Sequence, residues 1–396
     1  MLDALAWLVA GLPAALLLWF TLEVGAGLKP LASQPPTGNR PPRTTVLIPA
    51  HNEQAGIAGT LDTLQPLPDW LQVLVVADNC TDSTAAVARR AGAEVAERHD
   101  TSRRGKGYAL AHGRDHLARR PVAERPEAVV VLDADCRTDQ ASVLVLAQQA
   151  VSRQAPVQAR NLLTSDDNAS AVTQISNFAM LVKNLVRARG LQRIGGGIPL
   201  FGTGMAFAWP TFAGARLATD HLVEDMQLAL DLAREGVKVT LVEQARVLSA
   251  AAPDKAARTQ RGRWERGFLH TARSQAMPML LSGVAGFSRH RTALGIHLLV
   301  PPLALLLLLA LVCLAAATSI SLFTGQWVPA ALLFLTLAGA LVAVALAWMR
   351  QGRSTLPAGI LARAPLYILW KIPLYLDFLR RNHGGWTRTR RLDESD

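Results

Sequence analysis

Val130-Val131-Leu132-Asp133-Ala134-Asp135 is the end of an apolar run, starting at Ala128, that stops abruptly in two carboxylates separated by one residue. A continuous run of this length, with no polar alternation, predicts a strand buried on both faces, as parallel sheets require. Working outward, Thr44 to Ile48 and Val73 to Val76 have the same character, and each is followed by polar or helical sequence. Strands alternating with helical segments predict an α/β, doubly wound domain with a mainly parallel sheet. Ligands of such sheets bind beyond the carboxyl ends of the strands, and all three runs end in chemically loaded residues.

The Asp-x-Asp tip is the strongest of these. Two acidic groups at a buried strand end are costly unless a cation pairs with them. Hard oxygen ligands suit Mg²⁺ or Mn²⁺, which use one or two carboxylates together with substrate phosphates. The first strand runs into Pro49-Ala50-His51-Asn52-Glu53, where capping or solvation competes with a binding role. The second ends in Ala77-Asp78-Asn79-Cys80-Thr81-Asp82-Ser83-Thr84, where helix capping is one reading and a contact from Asp78 to a base or ribose is the other. Arg103-Arg104-Gly105-Lys106-Gly107 couples cations with close-approach glycines, which suits a diphosphate or simply a basic surface turn. Neither a phosphate-binding P-loop nor a GxGxxG after a strand is present, so kinase and dehydrogenase readings lose their main support.

Further along, Phe201-Gly202-Thr203-Gly204-Met205 fits a sugar-site lining or a tight turn. Glu224 and Asp225 precede a helical run, where dipole stabilisation and a general base are both available roles. Gln260-Arg261-Gly262-Arg263-Trp264 lies shortly before a long apolar segment, and its cations and aromatic suit either a membrane-interface belt or a diphosphate and a sugar face.

Composition bounds these readings. Of the 396 residues 50% are hydrophobic and 18% charged, which predicts a folded polar-faced domain joined to membrane segments. Ala4 to Leu22 is uncharged and long enough to span a bilayer, without the basic start of a signal peptide. Thr292 to Met349 lacks any Asp, Glu, Lys or Arg and breaks only around Thr324, Gly325 and Gln326, which predicts two crossings joined by a hairpin. Positive charges flank these spans on one side: Lys29, Arg40, Arg43, Arg289, Arg291, Arg350 and Arg353. The large middle domain and the C-terminus are therefore expected in the cytoplasm. Leu356 to Leu379 is interrupted by Arg363, Pro365, Lys371, Pro373 and Asp377, which predicts an interfacial helix rather than a fourth crossing. A basic tail around Arg380, Arg381, Arg388, Arg390 and Arg391 would meet acidic headgroups or remain solvated. The net charge of +11 is thus directed to lipid rather than nucleic acid. Cys80, Cys136 and Cys313 are too few and scattered for a disulfide framework.

Taken in order, the motifs resemble the membrane-bound, cellulose-synthase-like glycosyltransferases of family 2, from about Thr44 to Trp264. Val46 to Glu53, Ala77 to Asp82, and Glu97-Arg98-His99-Asp100 through Arg104-Gly105-Lys106-Gly107-Tyr108 are most similar to the EpsO-like branch associated with bacterial exopolysaccharide synthesis. The resemblance implies a GT-A fold and inverting transfer. By the same resemblance Pro49, His51, Glu53, Asp78, Lys106, Asp133 and Ala134 bind the nucleotide sugar, Asp135 holds the metal and Asp225 is the catalytic base. Gly202, Thr203, Gly204, Glu224, Gln260, Arg263 and Trp264 then belong to the acceptor and sugar site. Val223 stands where the family's acidic motif usually begins with Thr, and Ala77 where the nucleoside cluster usually has an acidic residue.

The expected plan is a membrane helix over 1–27, a linker over 28–43, a cytoplasmic catalytic domain over 44–250, and the Gln-x-x-Arg-Trp segment with interfacial helices over 251–291. A membrane hairpin over 292–349 and a surface helix with a basic tail over 350–396 complete it. The function this implies is transfer of a sugar, uridine-linked in the simplest case, to a growing glycan or lipid-linked acceptor at the bacterial inner membrane, alongside other synthesis or export subunits. A catalytically silent nucleotide-sugar-binding scaffold of an export complex, and a metal-dependent nucleotidyltransferase, are the competing readings.

Overall fold

The computed structural model describes residues 2–33, 38, 40–165, 169–219, 221, 223–250 and 254–380. The chain divides into two compact units. One, rich in strands, takes in Leu31–Thr164 and Gly196–Pro253; the other, helical, takes in Met1–Pro30, Ser165–Gly195 and the described residues from Asp254 on.

Among the described residues, the strand-rich unit is built on eight strands: β1 Thr44–Ala50, β2 Leu71–Asp78, β3 Glu94–Arg98, β4 Ala128–Val131, β5 Cys136–Arg137, β6 Val157–Thr164, β7 Met205–Ala208 and β8 Thr240–Ala250. They form one sheet in the order β3-β2-β1-β4-β7-β6-β8-β5. β3, β2, β1 and β4 run parallel, as do β6 and β8. The sheet is mixed, because β7 enters antiparallel between β4 and β6, and β5 antiparallel beside β8. The apolar runs read from the sequence are the central strands, and Val46, Ile48, Val73, Val75, Val130 and Leu132 share one core layer. Each such side chain withdrawn from water is worth about 1.5–3 kcal/mol. The opposite face of β1 carries Leu47, against which the helix Lys106–Ala118 is seated through Gly113. A Cβ on Gly113 would stand 2.5 Å from Leu47 Cδ1, so a larger residue there would lift the helix off the sheet. Pro49 is tolerated in β1 because pairing with β4 stops at Leu47, so its missing N–H costs no ladder bond on that side.

Among the described residues, three helices in the other unit are long and apolar enough to cross a membrane: Leu2–Gly27, Leu303–Thr324 and Val328–Gly352. The second begins later than Thr292, since Arg289–Leu299 forms a separate helix that ends before Pro301 and Pro302. Two prolines in succession remove two amide donors, and the helix restarts with Pro302 as its N-cap. Gly325, at φ +74°, caps the hairpin in the left-handed region. Beyond the third span, Ala358–Leu361, Ala364–Trp370 and Ile372–Arg380 are short helices separated near Pro365 and Pro373. Lys371 is buried within this segment instead of facing water. Arg381, Arg388, Arg390 and Arg391 lie outside the described residues.

Residues 165–195, expected within a continuous 44–250 domain, belong to the helical unit. There the helix Ala171–Leu181, a π turn Val182–Arg187 and the helix Ala188–Gly195 lie against the apolar helix Leu2–Gly27. Approach is backbone to backbone: a Cβ on Gly190 would sit 1.8 Å from the Glu23 carbonyl, and one on Gly27 1.8 Å from that of Val186. Glu23 is fully buried and held by Arg187 at 2.7 Å, His297 at 2.7 Å and the Trp19 indole at 2.8 Å. A carboxylate inside an apolar helix is retained only with such partners.

Candidate active site

Three tight turns at the strand ends set up the site. After β1, Asn52 adopts φ +54°, and after β2, Asn79 adopts φ +51°, values that Asn tolerates better than most residues. The two loops interlock: Asn52 and Thr81 exchange hydrogen bonds, Glu53 N–H donates to Thr84 Oγ1 at 2.7 Å, and Gln54 N–H donates to Asp82. His51 Nδ1 is 2.6 Å from the Asp78 carbonyl, which only accepts, so Nδ1 carries the proton. Asp78 is buried, and its Oδ1 accepts from Arg98 at 2.6 Å and from the Asn79 amide at 3.0 Å. Arg98 also reaches Asp100 and the Arg103 carbonyl, and it stands 5.6 Å over the Tyr108 ring.

Past β4, Asp133 N–H donates to Thr203 Oγ1 at 3.0 Å, and Gly204 N–H donates to Val131 O at 2.8 Å. The Phe201–Gly204 turn is therefore tied to the strand that ends in the acidic pair. Gln158, fully buried on β6, holds this turn from behind: Nε2 donates to Thr203 O at 2.8 Å and Oε1 accepts from Phe201 N–H at 2.9 Å. Gly202 and Gly204 have φ of +84° and +67°, and a Cβ on Gly204 would meet Val247 at 2.7 Å. Thr203 and Ala134 are buried, with the Ala134 carbonyl accepting from Thr60 Oγ1.

Lys106 is the hub. Its ammonium pairs with Asp133, donates to the Gly202 carbonyl at 2.6 Å, and lies 3.9 Å from Glu224. Glu224 and Asp225 open the helix Glu224–Arg234, and Asp225 Oδ1 accepts from the Met226 N–H at 2.8 Å. A Cβ on Gly202 would be 3.2 Å from Asp225 Oδ2 and 3.6 Å from Lys106 Nζ, which places both against this turn. Burial disfavours the Lys106 charge, but Asp133, Glu224 and Asp225 outweigh it and hold the ammonium above the usual lysine range. Burial, reinforced by the neighbouring Asp225 charge, pushes the Glu224 carboxyl up to about 7.

One ligand atom each from Asp133, Asp135 and Cys136 lies within 4.8 Å of the others. Burial, then the charges of Asp133 and Asp135, push the Cys136 thiol well up, and its sulfur lies 3.1 Å from the Ser249 hydroxyl; a soft sulfur suits a hard divalent cation less well than the two carboxylates do. The two carboxylates are a donor set for a hard divalent cation that completes its shell from phosphate and water.

Thus Pro49, His51, Glu53 and Asp78 line the joined β1 and β2 tips, while Lys106, Asp133, Glu224 and Asp225 converge around Gly202. Gln260, Arg263 and Trp264 belong to the helical unit, on the helix Asp254–Ala285, where their three- and four-residue spacing puts them on one face. Sequence reading assigned no role to Arg98 or Gln158. Gln158 carries a detectable signal, a polar residue at a core position of an otherwise apolar strand start, whereas the pairing of Arg98 with Asp78 depends on the β2–β3 register.

Fold and site together define a GT-A-type glycosyltransferase with candidate membrane spans. The chain belongs to the family described as "Glycosyltransferase like family 2", whose family model matches residues 41–267. Among solved structures, it is similar to the mannosyltransferase PcManGT from Pyrobaculum calidifontis in complex with GDP-Man and Mn²⁺, at 20% identity over 94% of this chain and 100% of that one, with a TM-score of 0.56. A second similar structure is glucosyl-3-phosphoglycerate synthase from Mycobacterium tuberculosis in complex with Mn²⁺, UDP and phosphoglyceric acid, at 21% identity over 57% and 76% of the two chains, with a TM-score of 0.38. No curated protein sequence matches the chain significantly.

Proposed function

We propose that this glycosyltransferase moves a sugar from a nucleotide diphosphate, with UDP as the carrier, to a growing glycan or lipid-linked acceptor in bacterial exopolysaccharide or cell-surface polysaccharide synthesis, with inversion at the anomeric carbon. The observation that carries this reading is the convergence of Lys106, Asp133, Glu224 and Asp225 on one glycine turn beside Asp135. Asp135 would hold Mg²⁺ or Mn²⁺, with Asp133 beside it, and the ion would supply positive charge for the leaving diphosphate. Bound Mn²⁺ in the PcManGT structure is in keeping with that choice.

The chain's own residues do the rest. His51, Glu53 and Asp78 bind the nucleoside at the interlocked strand tips, and Asp78 is oriented by Arg98. Lys106 gives the phosphates a cation at the start of its helix, where the exposed N–H groups also favour anions. Asp225 is oriented through Oδ1 by the Met226 amide, and Oδ2, on the Gly202 and Lys106 side, takes the acceptor hydroxyl's proton as the new bond forms. Attack from the face opposite the leaving group inverts the configuration without a covalent intermediate. Gln260, Arg263 and Trp264 serve the acceptor and the departing diphosphate. The charge distribution around the apolar helices supports a catalytic domain on the cytoplasmic side of the inner membrane.

The test is release of nucleoside diphosphate by the full chain purified in detergent, with UDP- and GDP-sugars, Mg²⁺ or Mn²⁺, and EDTA controls. UDP release that needs the metal is expected. Pyrophosphate release would select a nucleotidyltransferase, binding without any release a silent scaffold, and a product of retained configuration would overturn inversion.

A further inference from the structure

The C-terminal helices contain a buried charge that the chemistry above does not use. Lys371 is 4% exposed, lies between the helices Ala364–Trp370 and Ile372–Arg380, and pairs with Glu265. Glu265 directly follows Trp264 on the helix Asp254–Ala285. Two further contacts fix the Lys371 side: its ammonium stands 5.3 Å over the Tyr367 ring, and the Tyr367 hydroxyl bonds Ser176 Oγ at 2.8 Å on the helix Ala171–Leu181. Three residues before Glu265, Gly262 leaves room for Leu374, whose Cδ1 would be 3.2 Å from a Cβ placed there. Arg263 and Trp264 are thus bracketed, one turn of helix, by an ion pair and an apolar contact, both from the same C-terminal segment.

A buried ion pair seldom outperforms a well-packed apolar pair in stability, but it does fix register, because only one alignment satisfies both charges. Rotation of the motif helix by a fraction of a turn would separate Glu265 from Lys371 and drive Gly262 off Leu374. We propose that Lys371 and Leu374 are positioning residues for the Gln260–Arg263–Trp264 face, making the segment 364–380 part of the transferase machinery rather than a surface anchor. This rests on the proposed role of that motif.

The experiment compares the full-length wild type with K371M, K371R, K371E, L374A, R263A and the exchange pair E265K/K371E. Turnover is read with the nucleotide sugar that the donor panel selects, and binding of its nucleoside diphosphate with Mn²⁺ is read alongside. K371M is expected to lose roughly tenfold to a hundredfold in kcat, the scale of a small misplacement, with nucleotide affinity unchanged. K371R should recover most of the loss, and the exchange pair should exceed K371E alone. Wild-type kcat in K371M overturns the proposal, as does a fall in kcat matched by an equal loss of nucleotide affinity. If K371M does not accumulate as folded protein, L374A decides: reduced kcat with intact nucleotide binding supports positioning, and wild-type kcat removes it. R263A separates the two claims. Full activity in R263A removes the motif's role itself, whereas an inactive R263A beside fully active K371M and L374A removes only the positioning.

Discussion

Lys106 and Asp133 form an ion pair across 27 residues of chain, joining the first turn of a helix to the tip of β4. The same ammonium faces Glu224 and Asp225, so one cation balances three carboxylates. Replacing Lys106 by Met leaves them to repel one another. Asp133 keeps 36% exposure, so water screens part of that repulsion, and a stability loss of about 2 kcal/mol is expected near pH 8. The loss should shrink near pH 5 as Glu224 takes a proton. Thermal unfolding at the two pH values checks this, and equal midpoints for K106M and wild type at pH 8 would contradict it.

Glu224 supplies a pH dependence of its own. Its folded value of about 7 exceeds its ordinary 4.5, so the folded chain keeps a proton that the unfolded chain has released. Stability from this group is therefore full below pH 4.5, declines as pH rises to 7, and is level above that. Glu224→Gln, which cannot ionise, should flatten that part of the midpoint-against-pH curve. A wild-type slope in the mutant would assign the decline to other groups.

Asp225→Asn preserves shape and the Met226 contact but removes the proton acceptor. Turnover should fall roughly a hundredfold or more, with nucleoside diphosphate binding nearly intact. Near-normal kcat would take Asp225 out of the mechanism.

For Asp135→Ala, the expected outcome is loss of metal-dependent nucleotide binding, measured by titration with and without Mn²⁺. Unchanged Mn²⁺ dependence would move the metal away from this carboxylate. Cys136→Ser, by contrast, should leave the Mn²⁺ requirement in place, since a soft sulfur in contact with Ser249 is a poor ligand for a hard cation.

Glycine 113 offers a packing test away from the chemistry. Gly113→Val has to displace Leu47 and Val76, which lie 2.5 and 3.0 Å from the added Cβ. A destabilisation of about 1–3 kcal/mol, the cost of overpacking, should appear as a lower urea midpoint. An unchanged midpoint would mean the helix carrying Lys106 shifts at no cost.

The central strands were legible because burial on both faces leaves a local mark, an unbroken apolar run, and because a strand's end is visible where carboxylates begin. The long apolar helices were legible for the same reason, although the second starts at Leu303 rather than near Thr292, because Arg289–Leu299 is a separate helix that ends before Pro301. Lys106, Asp133, Glu224 and Asp225 each stood out by residue type. Their convergence on Gly202 did not, because it depends on β7 entering the sheet antiparallel beside β4.

What the sequence determined by itself was the set of buried strands, the acidic strand tip and the apolar helices, all properties of residues close together in the chain. Tertiary structure alone decided that Arg98 orients Asp78, that Gln158 holds the Thr203 turn, that residues 165–195 join the helical unit, and that Lys371 is buried against Glu265. Each of those is a pairing of polar groups distant in sequence. Such groups carry no periodic signal, and only the packing that removes water from them dictates which partner each must find.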